Sequence, residues 1–345
     1  MIYQLLRPLL FTADAESAHN LSLAALRVLP LPKPSAPNPA LIQTVAGLRF
    51  PNPVGLAPGY DKNAEVAGPV LRLGFGFTEV GTLTPLPQPG NDAPRLFRLA
   101  EDAAVINRMG FNNEGQTAAA IRLERLRRTH QPGPIGINIG ANKDSTDRIA
   151  DYVTGVRDMA RYADYLTVNI SSPNTPGLRA LQDKGALDDL LLAVMAARPD
   201  NTPIFLKVAP DLEPADIDDI TRISIERGID ALIVSNTTIS RPKLKSRYAN
   251  EAGGLSGAPL RDLAQQRLVD FRRASGGAIT LIGVGGIASA DDAYARICAG
   301  ASLVQIYSAL VYEGPGLAAT INAGLAALLQ RGGFANIAQA VGSAK

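Results

Sequence analysis

DYLTVNISSPNTPGLR, residues 164–179, holds both halves of the pattern that sets the fold. Its first half, DYLTVN, is an apolar run with the β-branched Thr167 and Val168 and reads as a buried strand. Its second half stops that strand with more polar groups than a turn requires. These are Asn169, Ser171, Ser172, Asn174 and Thr175, with Pro173, Pro176 and Gly177 stiffening or bending the backbone between them. An ordinary polar turn and a working strand end both fit this stretch alone, and the rest of the chain separates them.

Outward from it, seven more β-rich runs recur: PVGLA (53–57), GFTEVGT (76–82), PIGINIG (134–140), IFLKVA (204–209), ALIVSN (231–236), ITLIGVGG (279–286) and SLVQIY (302–307). Between them lie segments with helical spacing, such as NEGQTAAAIRLERLRRT and PADIDDITRISIERG, often with acidic or hydroxyl starts. Eight strand–helix alternations predict parallel strands with crossover helices, closed as a (β/α)8 TIM barrel. A short strand pair is expected first, around Val45 to Phe50. A doubly wound open sheet is the alternative, but it would normally carry G-x-G-x-x-G after its first strand, and the chain has none.

Composition narrows the function classes. Thirty-four basic against 32 acidic side chains leave +2, so no strong field points to nucleic acid. One cysteine, Cys298, excludes an intramolecular disulfide and CxxC chemistry, and two histidines, His19 and His130, make a zinc site an unfavoured reading. No apolar run reaches the roughly 18 residues of a membrane span and no signal-peptide order opens the chain, so the expected compartment is the cytoplasm.

The first 40 residues differ from the rest. Ile2, Leu5, Leu6, Leu9 and Leu10 form one helical apolar stripe, and Leu21, Ala24, Ala25, Val28 and Leu29 form a second behind the candidate N-cap Asp14. LPLPKPSAPNP, with Pro at 30, 32, 34, 37 and 39, reads as a semi-rigid linker. The expected organisation is a helical hairpin and linker over 1–40 and a barrel over 41–345. The hairpin either caps the barrel or offers its apolar face to a membrane surface or an apolar ligand.

In a barrel the active site lies at the C-terminal strand ends. Those ends read Pro58-Gly59-Tyr60-Asp61-Lys62, Gly81-Thr82, Asn138, Asn169 with its serines, Lys207, Ser235-Asn236-Thr237, Gly285-Gly286 and Tyr307-Ser308. The rim is rich in amides and hydroxyls, carries two lysines, and places glycines where a backbone could approach a ligand. The last two turns sit where barrels commonly hold a phosphate, so a phosphorylated substrate or a phosphate-bearing cofactor is implied. Lys207 suits a charge beside a flavin ring.

GLAPGYDKN, TEVGTLTP, PRLFRL, INRMGFNN, GINIGANKD, NISSPNTPGLR, LKVAPDL, SNTT, GGLSG, GVGGI and QIYSAL, together with the hairpin, resemble the dihydroorotate dehydrogenases, specifically their quinone-dependent class 2 branch. The resemblance spans essentially the whole chain. It implies oxidation of (S)-dihydroorotate to orotate in pyrimidine biosynthesis, with Ser172 as the base that takes a proton from C5 while hydride leaves C6 for flavin N5. Class 1 relatives hold a cysteine there. A serine is a poor base on its own and needs neighbours or a relay, for which Thr175 is a candidate. Lys62, Asn107, Arg108, Met109, Gly110, Phe111, Asn169, Asn174, Asn236 and Thr237 match the orotate surroundings. FMN, one per chain, would lie against Ala57, Pro58, Gly59, Tyr60, Asp61, Lys62, Thr82, Asn138, Asn169, Lys207, Ser235, Gly257, Gly286, Tyr307 and Ser308.

The resemblance further implies that the hairpin forms a ubiquinone tunnel on the cytoplasmic face of the inner membrane, lined by His19 and Arg98 with Tyr307 at its inner end, in a monomer. Two residues depart from the family pattern. Pro58 has no N–H to give a flavin, and Tyr60 is bulkier than the usual leucine or phenylalanine. The loop from Ser240 to Gly254, basic at RPKLKSR, reads either as a rim over the site or as a solvated loop. Rival readings are a dihydrouridine synthase or a dihydropyrimidine dehydrogenase-like module, both with cysteine where Ser172 stands, and a non-catalytic membrane-associated barrel.

Overall fold

The computed structural model describes residues 2–31 and 36–344, without the side chain of Ile2. Pro32 and Pro34 of the linker, and Ile2 of the first apolar stripe, therefore lie outside what is described. Eight strands, Val54–Leu56, Phe77–Leu83, Ile135–Ile139, Tyr165–Asn169, Ile204–Val208, Ala231–Val234, Thr280–Val284 and Ala301–Ile306, close in chain order into a parallel barrel. The last pairs with the first through Val304 and Val54. Each coincides within a residue or two with a β-rich run of the sequence. They read as largely apolar stretches because both faces are covered, by helices outside and by the packed interior within.

Aromatic and branched side chains fill that interior: Phe77, Tyr165, Phe205, Ile233, Ile282 and Leu303 form one buried cluster. The antiparallel pair Gln43–Val45 and Leu48–Phe50 contributes Val45 and Phe50 to the same cluster. Phe50 meets Phe77 edge to face, with centroids 5.2 Å apart. Neighbouring strands make room with small residues, since a Cβ on Gly136 would lie 2.1 Å from the Tyr165 ring. Large and small residues thus alternate around the barrel as close packing requires.

The two N-terminal helices, Ile2–Leu10 and Ala15–Val28, are present. Asp14 caps the second, accepting from the N–H groups of Glu16 and Ser17 at 3.0 and 2.9 Å. The first is tied to the helix Ser308–Glu313, where the Tyr3 hydroxyl donates to the Val311 carbonyl at 2.6 Å. The second is held by the Glu16–Arg95 ion pair at 2.7 Å. Leu5, Leu9, Leu21 and Val28 are left exposed.

One element is absent from the sequence reading. Leu96–Leu99, Ala104–Asn107 and Gly254–Gly257 form a three-stranded antiparallel sheet across the rim. Its third strand is GLSG, with glycine at two of four positions, which carries neither β-propensity nor alternation. The loop expected to run on to Gly254 therefore ends in this sheet, and Lys245 and Ser246 anchor it earlier by donating their N–H groups to the Asp102 carboxylate.

Candidate active site

The strand ends and the two N-terminal helices enclose one cavity of about 710 Å3. Lys62, Asn107, Asn169, Ser172, Asn174, Lys207, Ser235, Asn236 and Thr237 supply its polar side chains at the barrel, and Leu6, Leu10, Leu26 and Leu29 contribute apolar wall on the helical side. Such a space, apolar at one end with convergent polar groups at the other, suits a flat polar ring and an apolar co-substrate.

Asn169 is the hub of the polar end. The strand pairing sets it level with Lys207 on the next strand. Its Nδ2 donates to Asn138 Oδ1 at 3.0 Å and to Thr82 Oγ1 at 3.1 Å. Its Oδ1 accepts from the Ser171 hydroxyl at 2.7 Å, and Asn236 Nδ2 donates to that same hydroxyl at 2.9 Å. Four strand ends are thereby locked by side-chain amides that have few free rotamers left. Ser172 follows directly, 5% exposed, with its Oγ accepting from the Asn174 N–H at 3.2 Å. Asn174 Nδ2 reaches Asn107 Oδ1 at 3.3 Å, which links the serine loop to the three-stranded sheet. The Thr175 hydroxyl is buried with no partner in the protein.

Lys62 donates from Nζ to the Gly59 carbonyl at 2.8 Å. Burial drives its ammonium down to about 8, with the Glu16 carboxylate pulling the other way. Burial also lowers Lys207, opposed by the Glu79 carboxylate. Glu79 lies wholly inside the barrel and accepts from Asn138 Nδ2 and Gln305 Nε2, each at 2.7 Å, and from the Tyr165 hydroxyl at 3.2 Å. Three donors on one carboxylate make its burial tolerable.

Glycines from the seventh strand end and from the rim sheet line one side of the cavity. Gly286 has φ +70°, and a Cβ there would lie 2.4 Å from the Arg261 Cα. Gly257 has φ +91° and would place a Cβ 2.4 Å from the Ala103 carbonyl oxygen. Both positions accept only glycine, and both line the cavity. Ser308 beside them shares a hydrogen bond of 2.7 Å with Ser256. Glycine walls, the buried Lys207, the half-buried Lys62 and hydroxyls suit a planar ring bearing a phosphate tail.

At the helical end, Tyr60 stands between His19 and Tyr307, edge to face with each at 5.2 and 5.9 Å. Its hydroxyl and that of Ser22 are 2.9 Å apart. The tyrosine that departs from the family pattern thus gains a polar partner on the second helix. Burial, with Lys62 adding to it, depresses the His19 imidazole to about 3, so it is neutral at physiological pH. Arg98 lies over the Phe11 ring at 4.8 Å and donates to the carbonyls of Leu10, at 3.2 Å, and of Ala13, holding the turn between the helices.

Ala57, Pro58, Gly59, Thr82, Met109, Gly110 and Phe111 also line the cavity, whereas Asp61, Arg108 and Asn138 do not. Asp61 is fully buried and caps the following turn by accepting from Glu65 and Val66 at 2.7 and 2.8 Å. Arg108 pairs with Glu251 at 2.7 Å and stacks on Phe97. Asn138 lies beneath the wall and orients Asn169. Sequence reasoning passed over Glu79 and Tyr152, whose hydroxyl donates to the Asn169 carbonyl at 2.6 Å. A lone carboxylate inside the apolar run FTEVGTL was the available signal for Glu79; nothing marked Tyr152 on its helix.

The dihydroorotate dehydrogenase family model matches residues 40–329. A dihydroorotate dehydrogenase (quinone) of Sphingopyxis alaskensis is 65% identical, covering 99% of this chain and 96% of that one. One of Novosphingobium aromaticivorans is 66% identical over 99% of both. A solved structure of DHODH from Eimeria tenella in complex with ferulenol superposes with a TM-score of 0.92 at 39% identity, covering 96% of this chain and 95% of that one. The chain belongs to the dihydroorotate dehydrogenase family.

Proposed function

We propose that the chain oxidises (S)-dihydroorotate to orotate in pyrimidine biosynthesis and hands the electrons to ubiquinone, with one FMN per chain. The observation that carries this reading is the single cavity joining a Lys62–Ser172–Asn236 polar end to an apolar end beneath the N-terminal helices. FMN would be held by the Gly257 and Gly286 walls, Lys207, Ser235, Tyr307 and Ser308, and bound there it supplies a two-electron acceptor for hydride.

The residues of the chain do the remaining work. Lys62 neutralises the substrate carboxylate, and its low dielectric surroundings strengthen that attraction. Asn107, Asn169, Asn174, Asn236 and Thr237 read the donors and acceptors of the flat ring, since an amide can serve as either. Ser172 takes the proton from C5 at its Oγ. A serine removes a carbon-bound proton only when the proton can move on. The partnerless Thr175 hydroxyl three residues later is the relay group this reading assigns. Closure of the cavity by the three-stranded sheet keeps bulk water away from the reacting carbon.

On the other side, His19, Arg98 and Tyr307 line the quinone path, with His19 neutral. Residues 1–40 act as the membrane-facing unit and 41–345 as the catalytic barrel. Exposed Leu5, Leu9, Leu21 and Val28 support seating on a membrane surface, which this reading assigns to the cytoplasmic face of the inner membrane, and among the described residues no helix is long and apolar enough to cross it. The working unit in this reading is a monomer.

The test is a steady-state assay of the purified protein. Orotate should appear with a ubiquinone analogue as acceptor and not with NAD or fumarate, and denaturation should release FMN in a one-to-one ratio. Orotate formation driven by NAD, or a colourless protein, contradicts the reading.

A further inference from the structure

Among the described residues, the bulkiest fully buried side chain is a charged one: Arg296, 1% exposed, on the helix Ala290–Cys298. Its guanidinium faces three acceptors and no carboxylate. NH1 donates to Gln265 Oε1 at 2.7 Å, and NH2 donates to the carbonyls of Arg261 and Gly285, each at 2.7 Å. Nε has no partner. The nearest carboxylates are engaged elsewhere or too far to pair, and Asp292 instead meets Arg261 at 3.6 Å. Burial pulls the guanidinium down to about 10, with Asp292 and Asp262 opposing and Arg261 adding to the fall.

Carbonyl and amide oxygens satisfy the hydrogens of such a group but leave it without a carboxylate in direct contact; Asp292 and Asp262 act on it only from beyond pairing distance, and a buried charge that is not paired is disfavoured. What stands on the far side of Gly285 is the cavity wall formed by Gly285, Gly286 and Ile287. The same guanidinium ties that wall to the helix behind it. Arg261 opens the helix Arg261–Ser275, against whose backbone Gly286 is pressed, and Gly285 is the other residue of the turn.

We propose that Arg296 is a positioning residue for the phosphate of the flavin nucleotide. It ties the Gly285–Gly286 turn to the start of the Arg261–Ser275 helix. It also supplies, from behind the turn, the positive charge that a phosphate dianion neutralises. The inference rests on the reading of the chain as an FMN enzyme. It concerns how the cofactor is selected, not how the substrate is oxidised.

The experiment compares FMN with riboflavin, which has the ring but no phosphate. Holoenzyme is dialysed against defined mixtures of the two, and the flavins retained are quantified after denaturation, which gives the affinity ratio without preparing apoprotein. Arg296→Gln should lower the FMN-to-riboflavin ratio about tenfold, the effect of one charge at intermediate distance. Arg296→Lys, which keeps the charge, should stay within about threefold of the unsubstituted protein. Arg296→Met replaces the glutamine variant if that one does not fold, with the same expected ratio. A purely structural arginine would weaken both flavins alike, so an unchanged ratio in the neutral variant overturns the proposal. If the unsubstituted protein retains no flavin at all, the flavin reading itself falls and takes the proposal with it.

Discussion

Asn236 donates through Nδ2 to the Ser171 hydroxyl at 2.9 Å, which joins the ends of the sixth and fourth barrel strands. Ser171 passes the connection to Asn169 at 2.7 Å and is itself fully buried. Removing its hydroxyl strands two amides, at a cost of about 1–3 kcal/mol. Ser171→Ala is expected to lower Tm by several degrees and to weaken orotate binding about tenfold, since the amides that read the ring lose their fixed orientation. Calorimetry and an orotate titration check this; unchanged orotate affinity contradicts the positioning role.

Ser172 is buried at the polar end with only a backbone N–H directed to its Oγ. Ser172→Ala should fold normally and bind orotate, yet slow flavin reduction by roughly 10²–10⁴-fold, the usual worth of a positioned proton acceptor. Thr175→Val should slow the same step less and leave orotate binding intact. Single-turnover reduction kinetics separate these outcomes, and near-normal reduction in Ser172→Ala removes the serine from its assigned role.

Lys62 ties pH to both binding and stability. Burial takes it from 10.5 to about 8, so above pH 8 the folded chain has lost a proton that the unfolded chain holds until about 10.5. Over that window the unfolded state binds more protons, and this residue makes stability rise with pH; below about 8 both states are protonated and its burial penalty is complete. Affinity for the orotate anion runs the other way and should fall as pH rises through about 8. Lys62→Met should weaken orotate at every pH and abolish the inflection. A titration series from pH 6 to 10 reads both effects.

How much of this was legible beforehand depends on what each residue's signal was. The eight barrel strands announced themselves because each is a largely apolar run buried on both faces, and Asn169, Ser172, Lys62 and Lys207 stood out as polar groups at or near the ends of such runs. The sheet over the rim was hidden, since Gly254–Gly257 owes its extended form to pairing with Ala104–Asn107 and not to its own side chains. Arg108 and Asp61 lie beside true cavity residues in sequence, and adjacency along a loop does not say which way a side chain turns. Arg296 looked like an ordinary basic residue near a helix C-terminus; only the tertiary structure buries it against Gly285.

Gly286 has no room for a side chain. The Cβ of Gly286→Ala would meet the Arg261 backbone at 2.4 Å, and its φ of +70° is unfavourable for alanine. Substitution should cost about 1–3 kcal/mol from strain alone and displace the turn. The expected result is a protein with lower Tm that releases its flavin on gel filtration. Full flavin retention at unchanged Tm contradicts the glycine wall.

The N-terminal helices reach the rim mainly through Tyr3, Glu16, Ser22 and the carbonyls that Arg98 holds. Deleting residues 1–40 should leave reduction by dihydroorotate largely intact and reduce turnover with a ubiquinone analogue at least tenfold. Flotation with liposomes should also lose the truncated chain, because Leu5, Leu9, Leu21 and Val28 go with it.

The most direct test of the central claim is an anaerobic rapid-mixing experiment on the purified protein, in two stages. Dihydroorotate should bleach the flavin absorbance in a single turnover, and a ubiquinone analogue added next should restore it, while NAD and fumarate leave it bleached. Failure of dihydroorotate to bleach the flavin, or recovery with NAD or fumarate, would contradict the account.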